Sequence, residues 1–166
     1  ACRIEKELSE IAEKWGREEF QIRREPFEID TWQVDEAVFT VTEPYEKAYT
    51  IRGCFAAANT AWEGIEAPFL YVENGDPVSL SHAEGKIVLI NGGANAETYE
   101  KLEKAGAIGF LILTGTPLDQ DADRMPDYRT LRGVKEPKLP CAVVHYLDAM
   151  ELIEQGATRA RLVLQQ

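Results

Sequence analysis

Residues 85–113 read GKIVLINGGANAETYEKLEKAGAIGFLIL, and this stretch decides the fold. Lys86-Ile87-Val88-Leu89-Ile90 is a short apolar, β-branched run of the kind a strand buried on both faces requires. Asn91-Gly92-Gly93 interrupts it, and Asn95 stands where a helix N-cap is expected. From Ala96 to Ala105 the apolar residues Ala96, Tyr99, Leu102 and Ala105 recur at helical spacing, with Glu and Lys between them. Gly106 then supplies the left-handed residue on which helices commonly end. A second buried run, Ile108 to Leu113, follows at once. Strand, helix and strand of these lengths make a right-handed crossover that joins two parallel strands.

Working outward from this unit, the chain of 166 residues is long enough for one domain with a substantial core and short for two. Its make-up, 45% hydrophobic and 28% charged, is that of an ordinary globular protein. A formal net charge of -11 argues against a nucleic-acid partner, because phosphate binding needs a basic surface. No run approaches the roughly 18 apolar residues of a membrane span. Cys2, Cys54 and Cys141 fit no CxxC or Cys/His metal spacing, so at most one internal disulfide is possible; buried free thiols are the simpler reading.

Upstream, Ile4, Leu8, Ile11, Ala12 and Trp15 share one face of a helix from about Arg3 to Trp15, stopped by Gly16. Phe20, Ile22, Phe27 and Ile29 alternate with charged residues and read as an edge strand or bulge, given Pro26. Val34 to Val41 and Ala48 to Ile51 read as a hairpin about Glu43-Pro44, ended by Arg52-Gly53. Residues 54–59 suit a loop or a strand equally. Pro68 to Val72 is a strand closed by Asn74-Gly75-Asp76-Pro77, and Ser79 to Glu84 is a loop or short helical turn.

Downstream, Thr114 to Leu139 is a long irregular segment of mixed charge, with Pro117, Pro126 and Pro137 inside it and Pro140 at its exit. Loops of this length in compact domains commonly carry function. Cys141 to Val144 reads as a strand, Leu147 to Ile153 as a short helix before Gly156, and Arg161 to Leu164 as a final strand. Antiparallel character early and a crossover late give a compact α+β domain.

The motif search yields few chemical groups in constellation. Asn91-Gly92-Gly93-Ala94 sits where phosphate loops lie, yet it is neither GxGxxG nor GxxxxGK[ST], and any tight strand-to-helix turn wants such glycines. His82 and His145 are the only histidines, fewer than a catalytic zinc site draws upon, and no HExxH, His-x-Asp or GxSxG pattern occurs. Arg124, Tyr128, Arg129 and Arg132 cluster in the long segment as a contact surface for a carboxylate or peptide; the alternative is a solvated loop balancing Asp119, Asp121, Asp123 and Asp127.

Several pieces together resemble a protease-associated domain. They are Gly85-Lys86-Ile87-Val88-Leu89, Asn91-Gly92-Gly93, Ala105-Gly106-Ala107, Gly109-Phe110-Leu111-Ile112 and Leu139-Pro140-Cys141-Ala142-Val143-Val144, then Leu147 to Ile153 and Ala160 to Leu164. Gly64-Ile65-Glu66-Ala67-Pro68 also fits, and the match runs from about Trp62 to Leu164. A leading helix and strand before such a domain is similar to the N-terminus of di-zinc aminopeptidases related to glutamate carboxypeptidase and the transferrin receptor. The Cys often found after the first central strand in other branches is absent. The resemblance implies a three-layer β/β/α swivelling fold with a leading amphipathic helix, residues 1–30 being a lead-in and 31–166 the domain. It further implies a non-catalytic role: covering an active site, restricting substrate access, or contacting peptide or protein partners. No catalytic residue, metal ligand or cofactor is expected in this chain, and zinc belongs to a catalytic peptidase domain expected after Gln166 of the same parent. Two other readings stand beside it. One is a free-standing protein-interaction module; the other is a phosphohistidine carrier, to whose Ser-His-Ala motif Ser81-His82-Ala83 is similar.

Overall fold

The computed structural model describes residues 2–15, 22–28, 31–120 and 124–166. The chain divides into two compact units, Ala1–Thr31 and Trp32–Gln166. In the first, helix α1 (Cys2–Trp15) forms as its spacing predicts, with Arg3–Glu7 at 2.9 Å and Lys6–Glu10 at 3.8 Å bracing its charged face. Its apolar stripe, Ile4, Leu8, Ile11 and Trp15, is exposed. The edge strand expected from Phe20 to Ile29 is not formed by residues 22–28, which enter no helix or strand; Phe20 and Ile29 lie outside the described residues. Alternation marks a face, but a strand also needs a neighbour to bond, and Pro26 removes one donor.

The second unit is a mixed α/β domain built on a curled nine-stranded sheet. At its centre β5 (Ile87–Ile90) and β6 (Gly109–Thr114) run parallel, Ile87 opposite Gly109 and Ile90 opposite Ile112. Helix α3 (Ala96–Lys104) bridges them. Asn95 caps it, its side chain accepting from Thr98 N–H at 3.0 Å. Gly93 leaves room for that cap, since a Cβ there would stand 2.6 Å from Asn95 Nδ2. At the other end Gly106 takes φ 76°, its N–H donates to Glu103 O, and Ala107 N–H donates to Leu102 O. That pair of bonds is the Schellman closure.

The remaining strands extend the sheet both ways. On one side lie β4 (Ile65–Tyr71), parallel to β5, then β9 (Arg159–Gln165), β1 (Glu36–Glu43) and β2 (Lys47–Tyr49), each antiparallel to the one before. On the other lie β8 (Cys141–His145), parallel to β6, then β3 (Ile51–Phe55), antiparallel to β8, and β7 (Arg129–Thr130), parallel to β3. Two short helices complete the unit, α2 (Pro77–Leu80) and α4 (Tyr146–Glu154).

Because strand side chains alternate, the central strands feed two cores. Ile87, Leu89, Leu111, Ala142 and Val144 face inward with Phe39, Val41, Leu162 and Leu152 of α4. Val88, Ile90, Phe110, Ile112 and Val143 face the other way, against Tyr99 and Leu102 of α3. Each such aliphatic or aromatic burial is worth about 1.5–3 kcal/mol.

Two sequence expectations change here. Arg52-Gly53 does not end a hairpin: it lies inside β3, which leaves β2 after Thr50 and pairs with β8 at the opposite end of the sheet. The Gln166 side chain lies over Gly53, where a Cβ would stand 2.1 Å from its Oε1. Segment 114–139 is not wholly irregular, since β7 joins β3 and Arg132 bridges Asn95.

Candidate functional site

A cavity of about 690 Å³ opens where β1 and β3 approach one another. Residues 32–34 and Ala37 form one wall, Ile51, Arg52 and Phe55 of β3 the second, and residues 128–130 the third. Trp32 is the hub. Its ring meets Phe55 edge-on at 5.8 Å and 70°, and Tyr128 edge-on at 6.0 Å and 83°. These are the preferred geometries of aromatic pairs. Above Tyr128 the Arg52 guanidinium lies 4.1 Å from the ring centroid, a cation–π contact. Among the described residues Arg52 makes no salt bridge, and the buried Trp32 Nε1 has no hydrogen-bond partner. Leu131 N–H donates to Phe55 O at 2.9 Å, fixing the third wall to the second.

An aromatic corner bearing a guanidinium without a carboxylate partner suits an apolar or aromatic side chain lying beside a negative group. Of the residues singled out from the sequence, Tyr128 and Arg129 line this cavity, Arg129 also pairing with Asp127 at 3.6 Å on the surface. Arg124 points elsewhere: it donates to Asp148 Oδ1 at 2.8 Å and Glu151 Oε2 at 3.4 Å, fastening the segment to α4. Arg132 is exposed, its backbone N–H bonded to Ala94 O at 3.0 Å. Trp32, Arg52 and Phe55 were not singled out. Arg52 followed by glycine reads as a turn, and only the curl of the sheet brings the three together.

A second polar cluster surrounds the start of α4. His145, buried, caps the helix through Nδ1, which accepts from Leu147 N–H at 3.3 Å, and its Nε2 lies 3.1 Å from Asp119 Oδ2. With Nδ1 accepting, Nε2 carries the proton toward Asp119. Thr116 donates to Asp119 through its N–H at 2.7 Å and its hydroxyl at 2.8 Å; these bonds, then His145, hold the Asp119 carboxyl below the usual range. Lys47 pairs with Glu151, and that contact, with Arg124, lowers the Glu151 carboxyl. Burial, then the Tyr45 hydroxyl at 2.9 Å, pushes the Tyr49 phenol well up. These groups are tied to one another by hydrogen bonds and ion pairs. His82 is exposed. Among the described residues no group of three or more His, Cys, Asp or Glu is placed to hold a metal ion. Those residues therefore do not fit a zinc centre, and no chemical step is assigned to them.

The fold itself has known counterparts. No family model matches the chain, and no curated protein matches it. Solved structures do. A zinc aminopeptidase from Bacillus subtilis superposes with a TM-score of 0.63 and 21% identity, over 78% of this chain and 30% of its own. An aminopeptidase from Aneurinibacillus sp. strain AM-1 gives 0.57 and 18%, over 79% and 31%. A peptidase M28 precursor from Shewanella amazonensis SB2B gives 0.57 and 16%, over 82% and 35%. The chain thus shares the fold of one part of these peptidases and spans about a third of their length.

Proposed function

We propose that this chain is the protease-associated domain, residues 31–166 with a lead-in of residues 1–30, of a zinc-dependent aminopeptidase-like parent. Its role is non-catalytic: it covers the parent's active site, restricts which substrates enter, and offers the Trp32–Tyr128 cavity to peptide. In this reading the curled sheet and α3 are the β, β and α layers of the swivelling fold. Zinc and the catalytic groups belong to a peptidase domain elsewhere in the parent chain. The observation that carries the proposal is the match to roughly a third of the chains of a zinc aminopeptidase, a second aminopeptidase and a peptidase M28 precursor, which leaves the rest of those proteins without a counterpart here. Incubating the purified chain with zinc and an aminoacyl-p-nitroanilide should give no hydrolysis above the uncatalysed rate. Chelator-sensitive turnover by this chain alone would contradict it.

A second reading, a free-standing peptide-binding module, is favoured by one feature: the cavity is complete within the second unit. The two readings divide on whether the same cavity acts with a peptidase domain. Adding the chain in trans to a catalytic domain should change that enzyme's substrate preference only under the first.

A further inference from the structure

Cys54 and Cys141 are the feature that neither the cavity nor the fold comparison uses. β3 and β8 pair antiparallel with Gly53 opposite Ala142, so the next step of that register sets Cys54 directly opposite Cys141. Both side chains are fully buried, both are free thiols, and their sulfurs stand 3.0 Å apart. A disulfide bond is about 2.05 Å long, so an approach of roughly 1 Å joins them. Directly opposed residues of an antiparallel pair have Cα atoms about 4.5–5.5 Å apart, inside the range of about 4.4–6.8 Å that disulfides span. Around them lie Val143, Leu131 and Leu139, apolar groups that offer a thiol neither a metal nor a base. Burial, then the neighbouring Cys54, pushes the Cys141 thiol up, so thiolate is scarce while the chain stays folded and exchange is slow.

We propose that Cys54 and Cys141 form a stabilising disulfide when the chain folds, or opens transiently, in the presence of a small disulfide oxidant such as oxidised glutathione. One protein thiolate attacks a sulfur of the oxidant, expelling one reduced glutathione and leaving a mixed disulfide. The second protein thiolate then attacks the protein-side sulfur and expels the other. The two cysteines lose two electrons, glutathione disulfide gains them, and the two thiol protons pass to the two glutathione thiols released. The bond closes the chain around the entire central crossover. It also ties β3, which carries Arg52 and Phe55 and holds β7 through two residue pairs, to the buried strand β8.

The test uses a Cys2→Ser chain, equilibrated with oxidised and reduced glutathione at a urea concentration inside its unfolding transition, then returned to native buffer. Thiols are counted in denaturant and tryptic peptides are weighed. The expected result is no free thiol, a mass lower by two hydrogens, and one cross-linked pair of peptides containing Cys54 and Cys141. Adding reductant should then lower Tm by roughly 5–15 °C, as a cross-link closing a long loop requires. The same chain also carrying Cys54→Ser and Cys141→Ser should show no such drop. Two titratable thiols after equilibration, glutathione retained on either cysteine, or an oxidised chain no more stable than the reduced one would overturn the proposal.

Discussion

Between Gly85 and Thr114 the fate of each residue is set by neighbours a few positions away. Asn95 caps the helix that begins one residue later, Gly106 ends it, and the alternation of Ile87 to Ile90 assigns each side chain to one of two cores. From Thr114 to Leu139 the anchors lie far off in the chain. Arg124 reaches α4, Leu131 N–H finds Phe55 O, and Lys138 and Leu139 N–H both donate to Tyr99 Oη, at 2.6 and 3.2 Å. The crossover is held by distributed apolar burial, the long segment by a few polar fasteners. A region of the first kind is stiff everywhere; one of the second kind is stiff only where it is fastened, and such segments suit recognition.

That contrast predicts unequal costs. Phe110→Ala, in the crossover, should cost about 3–5 kcal/mol of stability in urea unfolding, since its ring is fully buried and edge-on to Tyr99. Gly115→Ala acts at the junction: Gly115 has φ 80° and a Cβ there would stand 2.2 Å from His145 Nε2. A loss of about 2–3 kcal/mol is expected, with faster hydrogen exchange confined to residues near Thr116 and Leu147. A loss below about 0.5 kcal/mol would show that the His145–Asp119 fastener does not hold the segment.

Tyr99→Phe tests the link between the two regions, because it keeps the ring in the core and removes the acceptor of two backbone N–H groups. About 1–3 kcal/mol should be lost, with exchange rising at Lys138 and Leu139 before the crossover loosens. Uniform loosening would erase the distinction. Acid gives a gentler probe. The Asp119 and Glu151 carboxyls are held below their ordinary values in the folded chain, so their contribution is present above about pH 4 and is lost as pH falls through the depressed folded values. Glu151→Gln should lower stability at neutral pH and flatten the acid limb of a pH–stability curve. Smallest in stability is Arg52→Ala with Arg129→Ala, expected within about 0.5 kcal/mol of the parent, yet sufficient to abolish binding of short aromatic peptides with a free carboxylate, read by isothermal titration calorimetry. Unchanged binding would remove the cavity from the account.

The same contrast explains what the sequence disclosed. Caps, alternation and a terminal glycine are local, so the crossover, β4, β8, α4 and β9 could be read directly. β3 could not, because the strand it pairs with, β8, lies far along the chain and not beside it in the sequence. β7 has two residues and exists only because β3 lies beside it. The alternation of Phe20 to Ile29 suggested a strand, but the described residues 22–28 enter no ladder. At the candidate site, Tyr128 and Arg129 drew attention as an aromatic and a cation within a polar loop. Trp32, Arg52 and Phe55 carried no pattern of their own, since three separate segments meet only when the sheet curls.

The most direct test of the central claim is to read the parent coding sequence beyond Gln166. It should continue into a segment with His-x-Asp, a Glu-Glu pair and a later His, the ligand pattern that the resemblance to di-zinc aminopeptidases implies. A stop codon directly after Gln166, or a continuation with no such set, would contradict the assignment of this domain to a zinc aminopeptidase.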